Sequence, residues 1–322
     1  MAVIMLDVDE FRQINELYDR EFGNWVLKTL GQFIQAILPD NACLFRLEKD
    51  KMGILMTNVQ EADVKEFYKS LQEHLRKIRE CVKQGHQGFF LNYQPQIQPQ
   101  TREMKGVEVL VRWKNQRGNM VSPGEFIPIM EEHGLIYSAG LWILRTAFQE
   151  AKEWIKKKPD FTISVNVSAL QFFEETFLEG LYQTIEEENF PCENLVIELT
   201  ESFAIKNIEI LQKKFNDMRK RKIRIALDDF GSGYCSLASL KNTPVDIVKL
   251  DRTFVKDILN NKFDAAFINL VTEICHIVSI DVCLEGVEEK EEYEFVKKIP
   301  LDSIQGYYFG KPMDKEAIDK KL

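Results

Sequence analysis

No run of apolar residues in this chain approaches the ~20 needed to cross a bilayer. The opening Ala2-Val3-Ile4-Met5-Leu6 stops at Asp7 and lacks a basic flank, so it reads as a buried strand rather than a signal peptide. CxxC pairs are also missing. The six cysteines (Cys43, Cys81, Cys192, Cys235, Cys275 and Cys283) are scattered, mostly inside apolar stretches. They read as buried thiols in a reducing compartment, and the expected location is cytoplasmic. The four histidines, His74, His86, His133 and His276, form no HxxxH or HExxH, which argues against a zinc site of His and Cys. Basic charge is in deficit: a net charge of −9 argues against a long nucleic-acid surface. A small anionic ligand is still allowed, because bound metal ions can invert the local charge of an acidic pocket. Low-complexity tracts and short-period repeats are absent as well.

What is present is an ordinary folded composition, 45% apolar and 29% charged over 322 residues. That length suits two domains, or one barrel with an appendage, and can bury a large core without disulfides. Residues 1–84 alternate strand and helix: a strand at Val3–Leu6, an amphipathic helix over Asn24–Leu38, a hairpin over Phe45–Thr57 turning at Lys49-Asp50-Lys51, and a second helix over Val64–Ile78. Gly85-His86-Gln87-Gly88 marks the boundary. Over residues 85–322 short apolar strands recur at Thr162–Val167, Leu195–Leu199, Ile223–Leu227, Ile247–Leu250, Val282–Leu284 and Ser303–Phe309. Amphipathic helices such as Glu209–Lys220 and Asp264–Val278 separate them. This alternation predicts a parallel sheet, and so many units predict a closed (β/α)₈ barrel.

Strand after strand ends on a polar residue: Asn166 after Val165, Glu198 within Val196-Ile197-Glu198-Leu199, and Asp228-Asp229 after Leu227. Lys249 and Asp251 flank Leu250, Glu285 follows Leu284, Gln305 follows Ile304, and an earlier strand supplies Glu108 with Arg112 four residues on. Barrel active sites are built from the C-terminal ends of several strands. Any one such residue is more often a helix cap or a solvated loop residue; the succession is what points to a site. Carboxylates gathered at one mouth raise each other's pKa values unless cations accompany them. Hard oxygen ligands with an amide, and no thiolate or imidazole, select Mg²⁺ or Mn²⁺. Two ions ~3.5–4 Å apart would serve an in-line phosphoryl displacement, with Asp228 able to bridge them. Lys249 would orient or deprotonate the attacking water, or else balance charge. Arg112 would hold a phosphate, or form a structural ion pair.

These residues, in this order, resemble the EAL family of cyclic di-GMP phosphodiesterases across about Phe90 to Met313. The resemblance runs through Tyr93-Gln94-Pro95, Glu108-Val109-Leu110-Val111-Arg112-Trp113, Ser122-Pro123-Gly124-Glu125, Val165-Asn166-Val167-Ser168 and Glu198-Leu199-Thr200-Glu201. It continues through Asp228-Asp229-Phe230-Gly231, Lys249-Leu250-Asp251-Arg252, Glu285-Gly286-Val287-Glu288 and Gln305-Gly306-Tyr307. It implies a TIM-like barrel whose first strand is antiparallel, hydrolysis of cyclic di-GMP to linear pGpG, two divalent cations and a homodimer. By the same resemblance Glu108, Asn166, Glu198 and Asp228 would hold one ion, while Asp228, Asp229 and Glu285 would serve the second. Lys249 matches the family's catalytic lysine. Gln94, Arg112, Asp251 and Gln305 match substrate or active-site contacts, and Glu201 the glutamate that steadies the loop after Asp229. The namesake triplet reads Glu-Val-Leu, and Ser232 and Cys235 replace a usual threonine and serine.

Residues 1–84 resemble part of a GGDEF domain, on Leu6-Asp7-Val8-Asp9-Glu10-Phe11, Ile14-Asn15 and Arg46-Leu47. The signature position holds Glu48-Lys49-Asp50-Lys51-Met52, with both glycines gone and a lysine where an acid was needed, so cyclase activity is not expected. Three rivals bear on the barrel. Asp229-Phe230-Gly231 imitates a kinase motif, but no HRD sequence follows it. A glycosidase needs only two carboxylates, such as Glu198 and Glu285, and leaves the others unexplained. A non-catalytic cyclic di-GMP receptor or protein-interaction module is the alternative that stays open.

Overall fold

The computed structural model describes residues 1–7, 27, 31, 34–35, 38–39, 41–47, 51–67, 69, 86–115, 118–201, 208–231, 240 and 244–322. The expected Ile14-Asn15 feature, most of the two N-terminal helices, the turn at 48–50, and Ser232 and Cys235 lie outside these residues. The chain forms two compact units, Met1–Phe89 with Arg112–Ala139, and Phe90–Val111 with Gly140–Leu322.

In the first unit, strands β1 (Ala2–Asp7), β2 (Ala42–Arg46) and β3 (Lys51–Met56) form an antiparallel sheet in the order β1-β3-β2. Met52, Ile54 and Met56 recur every second residue along β3, as strand geometry demands, and are buried together with Leu27 and Ile34. The expected hairpin is therefore present, and its first strand starts three residues earlier than the sequence suggests. The same unit contains the β6 pairing and helix α1 described below, where Trp113 stacks on Phe89 with ring centroids 5.5 Å apart.

The second sheet takes in strands β4 (Phe89–Ile97), β5 (Met104–Lys114), β6 (Met120–Val121), β7 (Thr162–Asn166), β8 (Leu195–Thr200), β9 (Arg224–Phe230), β10 (Ile247–Leu250), β11 (Asp281–Leu284) and β12 (Ser303–Gln305). Its order is β4-β12-β11-β10-β9-β8-β7-β5-β6, and β4 also pairs with β5, so eight strands close into a barrel with β6 as an outlying ribbon on β5. Strands β5 and β7 to β12 run parallel, and β4 is antiparallel to β12. The connections supply helices α1 (Pro123–Glu132), α2 (Ile136–Lys157), α3 (Ala169–Phe173), α4 (Phe177–Glu188), α5 (Ile208–Lys220), α6 (Lys262–Ile277), α7 (Lys290–Val296) and α8 (Lys315–Asp319). Strand β8 is buried at five successive positions, Leu195 to Leu199, as expected where helices cover one face and the barrel interior lies behind the other.

One expected strand is shorter than its apolar run. Ser303–Phe309 ends as a strand at Gln305, because Gly306 brings its Cα against the Val287 backbone, where an added Cβ would fall 2.0 Å from the carbonyl oxygen. The chain turns there, and Tyr307 is exposed. Among the described residues no helix is long and apolar enough to cross a membrane.

The C-terminal segment is fastened to the barrel through buried aromatics. Trp154 of α2 is fully buried, packs edge-on to Tyr93 of β4 at 4.9 Å, and donates its indole N–H to Asp319 at 2.6 Å. Truncation of Trp154 to alanine opens a cavity and strands the Asp319 contact. A loss of about 3–5 kcal/mol in unfolding free energy is expected from urea denaturation.

Candidate active site

In a parallel barrel the inward residues of neighbouring strands meet in layers, and their polar members collect where the strands end. Strand registers deliver that here: Asn166 lies opposite Glu198, Glu198 opposite Ala226, Thr200 opposite Asp228, and Lys249 opposite Cys283. Lys249 is 1% exposed, an unusual state for an ammonium, and carboxylates surround it. Its Nζ lies 2.7 Å from Glu198 Oε2, 2.8 Å from Glu285 Oε1, 3.1 Å from Asp228 Oδ1 and 3.4 Å from Glu108 Oε2. Glu108 is held from two further sides, by Asn166 Nδ2 donating to Oε1 at 2.7 Å and Gln305 Nε2 donating to Oε2 at 2.6 Å. Gln305 also donates to Gln94 Oε1 at 3.0 Å, which ties the antiparallel β4 into the cluster.

The protonation states follow from this crowding. Burial and the surrounding carboxylates pull the Lys249 ammonium in opposite directions, and the carboxylates prevail, so its pKa rises and the proton stays. Burial alone would raise Glu108, but the Lys249 charge and the amides of Gln305 and Asn166 outweigh it and hold the carboxyl below its usual range. Burial pushes Glu198 well up despite Lys249, with Glu108 and Asp228 adding to the rise. Glu285 goes up to about 7 and Asp229 to about 6, again chiefly through burial and then through neighbouring negative charge. One ammonium thus faces more carboxylates than it can neutralise.

Asp228 and Asp229 raise a geometric problem, since adjacent residues of a strand point to opposite faces. The backbone departs from regular pleating at this point. Val248 pairs with Leu227 but Leu250 with Phe230, so β9 carries one more residue than β10 across this step, a bulge. Asp229 adopts φ +56°, a left-handed conformation that costs an ordinary residue roughly 1–2 kcal/mol and that aspartate tolerates better than most. As a result Asp228, Asp229 and Glu285 each bring one carboxylate oxygen within 4.8 Å of the others. Just beyond, the Gly231 N–H donates to Glu201 Oε2 at 2.7 Å.

Asp228, Asp229 and Glu285, all hard carboxylate donors, lie close enough to share one divalent cation. Among the described residues, Glu198 Oε1, Asp228 Oδ1 and Gln305 Oε1 are buried without a hydrogen bond, Asp228 Oδ1 being near Lys249 but misaligned for one. Unsatisfied buried oxygens of this kind mark places for a water, an ion or a ligand's donor.

Of the residues singled out in the sequence, Glu108, Asn166, Glu198, Asp228, Lys249, Glu285, Gln94 and Gln305 form one contact network, with Asp229 beside it and Glu201 bracing the turn. Asp251 does not join this network: its carboxylate caps the short 3₁₀ turn Arg252–Phe254 by accepting from Thr253 N–H at 2.9 Å. Arg112 lies on the stretch of β5 that belongs to the first compact unit. Two interior residues went unnoticed in the sequence. Ser164 sits opposite Glu108 across the strands, and buried Gln96 donates to its hydroxyl at 3.4 Å. Period-two alternation from Asn166 and Gln94 would have marked both.

Comparison with known proteins gives two family matches, "EAL domain" over residues 75–312 and "Diguanylate cyclase, GGDEF domain" over residues 1–116. Cyclic di-GMP phosphodiesterase PdeR of Escherichia coli K12 is 26% identical over 99% of this chain and 58% of its own length. The bifunctional diguanylate cyclase/cyclic di-GMP phosphodiesterase MucR of Pseudomonas aeruginosa is 25% identical over 98% of this chain and 56% of its own. The chain spans about half the length of the curated relatives it matches. Among solved structures, the PaMucR phosphodiesterase in complex with c-di-GMP superposes with a TM-score of 0.71 at 30% identity, covering 76% of this chain and 98% of that one.

The raised carboxyls have a consequence for stability without metal. Glu285 is ordinarily near 4.5 and Asp229 near 3.8, so at intermediate pH the folded state binds protons that the unfolded state has released. Their stabilising contribution is full below those ordinary values and is lost as pH rises through about 6 to 7. In excess chelator the melting temperature is expected to fall from about pH 5 to about pH 8, and Glu285→Gln to flatten that fall. A melting temperature that rises across this window in the unaltered protein would contradict the assignment.

Proposed function

The chain belongs to the EAL-domain family, and on that footing we propose that it binds cyclic di-GMP at the barrel mouth and hydrolyses it to linear pGpG with the help of Mg²⁺ or Mn²⁺. The observation that carries this reading is the buried Lys249 amid Glu198, Glu285, Asp228 and Glu108. Glu108, Asn166, Glu198 and Asp228 would hold one ion, and Asp228, Asp229 and Glu285 the other. When bound, such ions lower the pKa of water and neutralise charge on the phosphodiester oxygens.

The protein's own groups would then divide the work. Water oxygen attacks phosphorus and gives up a proton, the bond to the ribose 3′ oxygen breaks, and that oxygen takes up a proton from solvent, so that one water is consumed. Lys249 Nζ, held among Glu198, Glu285, Asp228 and Glu108, would orient or deprotonate the attacking water. Gln94 and Gln305 offer amide groups to the substrate, and the unbonded Gln305 Oε1 is an acceptor ready for an N–H. Arg112 and Asp251 would contribute further substrate contacts, and Glu201 would keep the turn after Asp229 in place. Residues 1–84 would form a GGDEF-like remnant without cyclase activity, and the chain would work as a homodimer in the cytoplasm.

A second reading, a receptor without turnover, draws on the amides of Gln94 and Gln305, which could hold the nucleotide without hydrolysing it.

Incubation of the protein with cyclic di-GMP and Mg²⁺ or Mn²⁺ is expected to release pGpG, resolved by chromatography, and Glu108→Ala to abolish it. Tight binding with no metal-dependent product would leave the receptor standing. Lys249→Ala is expected to slow turnover by ~10²–10⁴-fold, measured as kcat with binding followed separately. Near-normal turnover in that variant would reduce Lys249 to a structural ion pair.

A further inference from the structure

Gly231, two residues after Asp229, is held on two sides. Its φ is +91° and its N–H is fixed by Glu201, which is itself 3% exposed. On the other side stands Phe254, whose ring is so close that a Cβ at Gly231 would fall 2.6 Å from Cε2 and 2.8 Å from Cζ. Phe254 ends the 3₁₀ turn after β10 and stacks on Phe267 of α6, with centroids 4.4 Å apart and 15° between planes. Phe267 stacks in turn on Phe263 at 6.2 Å, and Phe263 is 69% exposed. A ladder of three rings therefore runs from the outer face of α6 to the backbone beside the acid pair.

We propose that Phe254 is a positioning residue for metal binding: its ring, held by Phe267, wedges Gly231 and so keeps Asp229 in the conformation that brings its carboxylate to Asp228 and Glu285. This rests on the reading of Asp228 and Asp229 as metal ligands. The left-handed backbone at Asp229 is disfavoured on its own, and such conformations persist where the surroundings over-determine them. Few soft torsions separate Asp229 from Gly231, because each peptide unit between them is planar. The Phe254 ring fills the space that a Cβ at Gly231 would take, and its stacking on Phe267 limits how far it can swing away. The ladder also makes α6 a lever, since a shift of this helix moves Phe267, then Phe254, then the turn.

The test is Mn²⁺ binding by the whole chain without nucleotide, followed by calorimetry or by the electron paramagnetic resonance of free Mn²⁺. Phe254→Leu is expected to weaken affinity about 10- to 100-fold, the range seen when groups that orient metal ligands are removed. Phe267→Leu, one step further out, is expected to weaken it less. Phe148→Leu is the control: Phe148 is fully buried on α2 and stacks on Phe190, so it costs stability without touching the ladder, and Mn²⁺ affinity is expected to hold. Phe254→Met gives a milder change should the leucine variant not fold. Unchanged affinity in the Phe254 variants, with the unaltered protein binding Mn²⁺ normally, overturns the ladder alone. Equal weakening in Phe148→Leu also overturns it, by reducing the effect to general destabilisation. No Mn²⁺ binding by the unaltered protein overturns the metal reading and the ladder together. Mn²⁺ binding that weakens as expected, in a protein that releases no pGpG, supports the ladder and sinks only the enzyme reading.

Discussion

Four carboxylates share one ammonium inside this barrel, and the surrounding arrangement answers to that imbalance. Removing an ion from water costs several kcal/mol, so Lys249 is tolerable in the interior only because Glu198, Glu285, Asp228 and Glu108 surround it. They are in turn tolerable only because Lys249, Asn166 and Gln305 meet them. The excess of negative charge that remains is what makes the mouth receptive to further cations.

Barrel closure makes such a cluster possible. Its members come from strands β5, β7, β8, β9, β10 and β12 and from the residue that follows β11, and the Gln305–Gln94 bond brings in β4. An open sheet would set β4 and β5 at opposite edges, whereas here they pair directly. The reversed direction of β4 does not disturb this, because Gln94 reaches the network through its side chain, and the β4 backbone pairs with β12 at Gln96 and Ile97.

Much of this could be read from the amino acids alone, for a definite reason. Barrel strands are covered on both faces, so their sequences are nearly all apolar and a terminal Glu198, Asp228 or Lys249 stands out against Val, Ile and Leu. What escaped reading depends on backbone conformation or on pairs distant in sequence. Asp228-Asp229 looks like two ligands side by side, but an unbroken strand would send them to opposite faces; only the left-handed Asp229 and the bulge in β9 explain their convergence. The sequence does not show that the Asp251 carboxylate also caps the next turn. Phe254 and Phe267 drew no notice in the sequence, because their contact with each other and with Gly231 joins three elements. The run Ser303–Phe309 looks extended throughout, because hydropathy does not register the close approach at Gly306.

The bulge in β9 also bears on how such a site could be moved. Transplanting the acid pair into another barrel by two substitutions would deliver one carboxylate to the interior and the other to the helical layer outside. The recipient strand would need an inserted residue, with a backbone willing to turn left-handed at the second acid. Part of the recipe for this centre is therefore written as chain length, and a reading of side-chain identities alone leaves it out.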